Sequence, residues 1–265
     1  MRRPDSFAIL LGAYVGALTF TVVVALAGRA TVRTAAPAAG SVAFLAVVAF
    51  ATRRGNLAAT MARSQLHAVL LGVPALALVG WMLVYDALPA AERTVLPWIP
   101  FLVVALLVGL AAYLLANQRV LAAARADDAV IAEWQAGPTR RQRWALRGVT
   151  FLGATALLGV GVYYPDAVFL GEFAPTAAGI LFAATAFAGR RRHYVALPDG
   201  LYVQDAGSLG GRYVPWSRLT GYDVTDRTLV IDRWLPLLAF RSAREDVPDL
   251  GTVTDALDSR LARRS

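Results

Sequence analysis

Six apolar stretches without a formal charge dominate the first three-quarters of the chain, at 6–28, 34–52, 64–85, 95–116, 148–165 and 173–189. A helix rising 1.5 Å per residue needs about 20 such residues to cross roughly 30 Å of hydrocarbon. Each stretch therefore predicts a membrane span, and the six pair into three hairpins. Pro74 lies inside the third and predicts a kink there. The segment 117–147 separates the fourth stretch from the fifth. Its first part alternates Val120, Ala123, Ala124, Val130, Ile131 and Trp134 with charge, which predicts a surface-lying helix from Arg119 to Trp134, ended by Gly137-Pro138.

Beyond Arg192 the spacing of apolar residues shortens to two. Residues 193–197 and 201–204 read as strands around Pro198-Asp199-Gly200, a turn in which Asp-Gly would supply a positive backbone angle. Further strands are predicted at 212–216, 222–224, 228–232 and 235–241, making six. Leu250, Val253, Leu257 and Leu261 recur at helical spacing after Pro248 and predict a closing amphipathic helix. The predicted fold class is an all-α transmembrane bundle of six helices, residues 1–192, followed by a small β-rich domain closed by a C-terminal helix, residues 193–265.

Charge fixes an orientation for the spans. The 265-residue chain carries 26 basic residues, all arginine, against 18 acids. Residues 1–192 hold seventeen arginines and eight acids, whereas residues 193–265 hold nine and ten, so the excess lies between the apolar stretches. No soluble face is basic enough for a nucleic-acid footprint. Segments expected inside hold fourteen arginines, among them Arg53, Arg54, Arg140, Arg141, Arg143, Arg190, Arg191 and Arg192; those expected outside hold Arg29, Arg33 and Arg93. Guanidinium groups resist transfer through hydrocarbon, so this imbalance predicts a cell-membrane protein with both termini cytoplasmic. Arg190-Arg191-Arg192 marks the last exit from the bilayer. Ala25-Leu26-Ala27 resembles a signal-peptidase site, which leaves cleavage after the first stretch open.

Three features of the last 73 residues carry a family resemblance: the Asp199-Gly200 hairpin after the arginine cluster, Val214-Pro215-Trp216 leading to Leu219, and the closing helix. The segment resembles the pleckstrin-homology-like (bacterial PH-like) domains that end many small prokaryotic multi-pass membrane proteins. That fold usually has seven strands, one more than the pattern predicts here. The resemblance implies a module for protein or membrane-surface contact, without a basic cluster for phosphoinositides.

Candidate chemistry is sparse. The absence of cysteine excludes disulfides, thiolate metal sites and cysteine nucleophiles. No acid or arginine sits mid-span, which argues against a charge-coupled pump. His67 lies one turn into the third span. Asp86, Glu92, Asp166 and Glu172 recur in two hairpin loops as Tyr-Asp-Ala and Tyr-Pro-Asp-Ala, each aspartate six positions before its glutamate. Such carboxylates suit a hard divalent cation, and equally suit solvated outer loops. Gly12 and Gly16 permit close helix approach, within the bundle or in a homo-oligomer. Neither a Ser-His-Asp constellation nor a phosphate-cradling glycine loop is present, so no cofactor is implied.

These features favour a non-catalytic scaffold or sensor whose partners are the bilayer and a cytoplasmic protein. A small transporter or lipid-handling protein with a path between the helices is the alternative, and an intramembrane enzyme using His67 and Tyr85 is a third class.

Overall fold

The computed structural model describes residues 5–27, 35–85, 99–164, 174–208, 210–234 and 239–261. The chain divides into two compact units, residues 1–123 and 124–265.

The first unit is helical. Helices α1 (Ser6–Ala27) and α2 (Ala35–Arg53) form a hairpin whose axes approach through small residues. A Cβ on Gly16 would lie 2.9 Å from the Gly40 carbonyl oxygen, and one on Gly12 would lie 2.6 Å from Val48 Cγ2. Backbone therefore meets backbone, the contact that glycine alone allows. Within the described residues, the Gly12–Gly16 face is occupied by a neighbouring helix of the same chain.

The third apolar stretch departs from its expected form. Helix α3 (Leu57–Arg63) and a single 3-10 turn (Leu66–Ala68) lead into α4 (Val69–Tyr85), and the two parts meet at 91°. The bend sits at Gln65, whose φ of 61° is left-handed, while the helix continues through Pro74. An L-residue there costs about 1–2 kcal/mol. Two local bonds help to hold it: the Gln65 amide side chain donates to the Ala62 carbonyl at 3.0 Å, and the Ala68 N–H donates to the Gln65 carbonyl at 3.1 Å. Helix α5 (Ile99–Ala126) runs ten residues past the fourth apolar stretch.

The second unit holds the main correction. Strand β1 (Ala132–Ala136) lies where the charged segment predicted a surface helix, and it alternates buried and exposed positions along its length. Ala132, Trp134 and Ala136 point inward; Glu133 and Gln135 point out. Helix α6 (Arg140–Tyr163) and helix α7 (Ala174–Phe187) follow, and only then does the sheet resume with β2 (Arg192–Leu197). The strands β3 (Gly200–Asp205) and β4 (Gly211–Pro215) complete an antiparallel sheet in the order β1-β2-β3-β4. A second sheet is formed by β5 (Leu219–Val224), β6 (Thr228–Arg233) and β7 (Phe240–Ala243), before α8 (Leu250–Asp258) closes the unit. A boundary at 192/193 thus leaves out one strand of this domain.

Strands β2 and β3 pair from Leu197↔Gly200 to Arg192↔Asp205, as the sequence predicts, but for a different reason at the turn. Gly200 does not have a positive φ. It is needed because a Cβ would stand 2.4 Å from the Val214 carbonyl oxygen and 2.7 Å from the Tyr213 ring. The shared core contains Trp134, Tyr194, Leu201, Tyr222, Ile231, Phe240 and Leu257, all 2% exposed or less. Trp134 stacks on Tyr194 with ring centroids 5.2 Å apart. Each such buried side chain contributes about 1.5–3 kcal/mol through apolar area alone. Helix α8 is capped by the Asp249 carboxylate, which accepts the Thr252 N–H at 3.1 Å, so Pro248 lies just ahead of the cap.

Among the described residues, four helices (α1, α2, α5 and α6) are long and apolar enough to cross a membrane, and the bent α3–α4 pair would make five. Helix α7 is apolar and has fourteen described residues.

Candidate functional site

Within the second unit the arginines form an anchoring junction at the base of the α6–α7 hairpin. The chain enters α6 through Gly137-Pro138-Thr139, and the sequence at that point is a reciprocal cap. The Gln142 N–H donates to the Thr139 hydroxyl at 3.4 Å, and the Thr139 N–H donates to the Gln142 side-chain oxygen at 3.2 Å. Gly137 is fixed on both sides. Its carbonyl accepts the Ala243 N–H of β7 at 2.6 Å, and its own N–H donates to Asp246 Oδ2 at 3.0 Å.

The hairpin returns at Gly189, whose φ of 77° suits glycine and whose missing Cβ leaves room for Arg143. Arg147 Nε donates to the Ala188 carbonyl at 3.3 Å, linking the two helices at their bases. The next three residues each have a distinct partner. Arg190 lies 4.2 Å from the Phe187 ring centroid and donates to the Ala206 carbonyl at 3.3 Å. Arg191 reaches Asp246 Oδ1 at 3.0 Å, and Arg192 reaches Asp205 Oδ1 at 2.7 Å. Burial opposes the Arg192 charge, but the Tyr194 and Asp205 oxygens outweigh it and hold its pKa above the ordinary arginine value.

Asp246 is the hub of this arrangement. Its side chain is 16% exposed and takes one bond from each end of the hairpin, at Gly137 and at Arg191. An exposed ion pair alone is worth about 0–1 kcal/mol. Asp246 is different because losing its carboxylate would strand a Gly137 N–H on a buried residue. On the outer face of β1, Glu133 accepts from Arg125 at 3.1 Å and lies 2.6 Å from His193 Nε2, tying the end of α5 and strand β2 to the same strand.

The remaining arginines expected from the sequence to set orientation lie at helix ends. Arg53 closes α2, and Arg54 sits 5.3 Å from the Phe50 ring centroid. Arg140 and Arg141 are exposed in the first turn of α6, and Arg143 faces the Pro138 carbonyl at 3.5 Å.

His67 lies in the bend between α3 and α4 and is 1% exposed. Its ring stacks on Tyr113 of α5 at 4.6 Å, and Nδ1 lies 3.2 Å from the Met61 carbonyl, an acceptor that requires the Nδ1–H tautomer. Asn117, wholly buried one turn beyond Tyr113, donates to the Tyr113 carbonyl at 2.9 Å. Sequence spacing put His67 one turn into a continuous span; the structure places it in the 3-10 turn where that helix is broken.

Asp86, Glu92, Asp166 and Glu172 lie outside the described residues. Among the described residues no three His, Asp or Glu side chains come together as a metal-ligand set. Sequence reasoning passed over Asp246, and it read Trp134 and Gly137 as the last turn and the end of a surface helix. The period-two burial at Ala132, Trp134 and Ala136, ending at Gly137-Pro138, was the available signal. No protein-family model matches the chain, and no curated protein or solved structure is significantly similar to it.

Proposed function

We propose that the protein is a polytopic membrane protein of six spans in three hairpins, with both termini cytoplasmic. Its role is that of a non-catalytic scaffold or sensor, in which a pleckstrin-homology-like module at the cytoplasmic face contacts a protein partner or the membrane surface. The observation that carries this reading is the splicing of the α6–α7 hairpin between β1 and β2. A domain joined by one flexible linker would move independently of its anchor. Here two chain crossings, both held by Asp246, couple the module to the hairpin, so a contact on the sheets is felt at the hairpin base.

Seven strands among the described residues, in two antiparallel sheets with a closing helix, support the pleckstrin-homology-like reading, since β1 adds one to the six predicted within 193–265. Two experiments test the proposal. Cysteines introduced on the module, at Asp226 and Arg227, should resist an impermeant thiol reagent in intact cells; labelling from outside would overturn the orientation. Partner proteins co-purified with the full chain should be lost on substituting exposed module residues and kept on substituting exposed residues of α1; the reverse would overturn the module's role.

One observation favours a second reading, a small transporter or lipid-handling protein. The 91° break in the third span brings the His67 ring onto Tyr113 of α5, and broken helices commonly accompany solute paths. Uptake by vesicles containing the purified chain, abolished by His67→Ala, would establish that reading; uptake no greater than in empty vesicles would remove it.

A further inference from the structure

We infer that the base of the α6–α7 hairpin carries a binding site for one anionic glycerophospholipid, with the phosphate held between Arg192 and Arg241 and the acyl chains lying along α6. The inference rests on reading α6 and α7 as membrane-embedded, and goes beyond it by assigning a ligand class to a defined cavity.

A cavity of about 460 Å³ opens where α6 leaves the β domain. Its two ends differ in chemistry. On the helix side it is walled by Ala145, Leu146 and Val149, with Leu146 47% and Val149 70% exposed. On the sheet side it is lined by Arg192 and Arg241, with Gln142 between the two. No carboxylate is among the described residues that line it. Arg192 is already bonded to Asp205, which fixes its guanidinium in place and leaves other N–H donors for a second acceptor. The Arg241 side chain is exposed on β7 and has no hydrogen bond or ion pair with any described residue.

An occupant must satisfy both ends at once. A soluble anion would leave the apolar wall wet, and a zwitterionic lipid would bring a headgroup cation toward the two guanidiniums along with its phosphate. An anionic phospholipid places a phosphate and a second polar group against two guanidiniums and a side-chain amide, and continues as hydrocarbon along the exposed apolar residues of α6. Guanidinium pairs suit phosphate oxygens because their donors are planar and can bond in twos. The neighbouring Trp144, 64% exposed, is the kind of residue that favours the headgroup level.

The test uses the full-length protein in detergent, titrated with phosphatidylglycerol or phosphatidylcholine and read by native mass spectrometry of bound lipid. One Arg near an anionic surface contributes about 1 kcal/mol, equivalent to roughly fivefold. The wild type should therefore prefer phosphatidylglycerol by roughly tenfold or more, and Arg241→Glu should remove most of that preference. Ala145→Trp, which fills the cavity without altering charge, should weaken phosphatidylglycerol binding as well. Arg227→Glu, on an exposed turn of the same domain, should change nothing. Equal loss in Arg227→Glu and Arg241→Glu would reduce the effect to general charge attraction and overturn the site. So would full displacement of the lipid by soluble glycerophosphate at comparable concentration, or a preference that survives Arg241→Glu. Alkaline extraction separates the two levels of the argument. A chain that stays in the membrane but shows no headgroup preference overturns the site alone, and a chain that is extracted overturns the membrane reading together with it.

Discussion

The α1–α2 and α6–α7 hairpins are both built from apolar helices of similar composition, yet different forces hold them. In the first, glycines bring two backbones into contact at Gly12, Gly16 and Gly40, and dispersion along that seam suffices. In the second, Gly148 and Gly159 face open space. That pair meets through larger groups, with Phe151 against Phe182 at 5.6 Å and the Thr185 hydroxyl donating to Thr150 at 3.1 Å. Its base is fixed by hydrogen bonds to the sheets. One hairpin packs with other helices, Phe20 of α1 lying 4.1 Å from Phe101 of α5, whereas the other is a limb of a β domain. Apolar composition alone therefore does not say whether a helical hairpin is an independent unit.

The largest expected effect would come from the core of that domain. Trp134→Ala should cost about 3–5 kcal/mol and loosen β1, exposing the base of α6 to protease while cleavage within α1–α2 stays unchanged. Equal loss of protection in both hairpins would break the contrast. Next is Asp246→Ala, which leaves the Gly137 N–H without its acceptor and should cost about 1–3 kcal/mol in thermal unfolding of the β domain. Asp246→Asn, keeping an acceptor for Gly137 without the charge toward Arg191, should recover part of that.

Glycine substitutions address the helices directly. Gly16→Ala forces α1 from α2 and should cost about 1–3 kcal/mol, because a Cβ would lie 2.9 Å from the Gly40 oxygen. Gly159→Ala has no atom to meet within 4 Å and should stabilise α6 by about 0.5–1 kcal/mol. Melting of the two variants in one detergent would reveal the asymmetry, and equal destabilisation would refute it.

The smallest effect concerns the cap of α8. Hydrogen bonds from the Thr252 side chain and backbone hold the Asp249 carboxyl below its usual value of 3.8. A lowered folded-state pKa means that the stabilisation is present above about pH 3.8 and lost as pH falls through the folded-state value. Asp249→Asn, which caps without ionising, should flatten that acid-side loss of α8 helicity; an unchanged profile would dissociate the cap from it.

The parts of this architecture that were legible in the sequence are those whose partners lie close by. Strands β2 and β3 announce themselves as short runs of strand-forming residues on either side of Pro198-Asp199, and α8 through the Leu250, Val253, Leu257 and Leu261 stripe. Strand β1 was hidden because its five residues are short, flanked by alanine and placed among charges spaced as on a surface helix. Its partner β2 begins only at Arg192, after the whole hairpin, so no local pattern could reveal the pairing. The bend at Gln65 was hidden for another reason: no glycine marks it, and Pro74 drew attention to a helix that stays intact. Of the candidate site, the arginines were visible as a charge run. The partner of Arg192, Asp205, follows from the β2–β3 register, whereas Asp246, which Arg191 reaches, was not visible because it lies far along the chain beyond the second sheet.

The interrupted β domain is most directly tested by its register. The chain has no native cysteine, so introduced pairs report without background. Gln135→Cys with His193→Cys joins two directly opposed positions of β1 and β2 and should form a disulfide rapidly under mild oxidation. Ile131→Cys with His193→Cys, four residues or roughly 13 Å out of register, should not. Efficient cross-linking of the second pair, or none in the first, would contradict the placement of β1 beside β2.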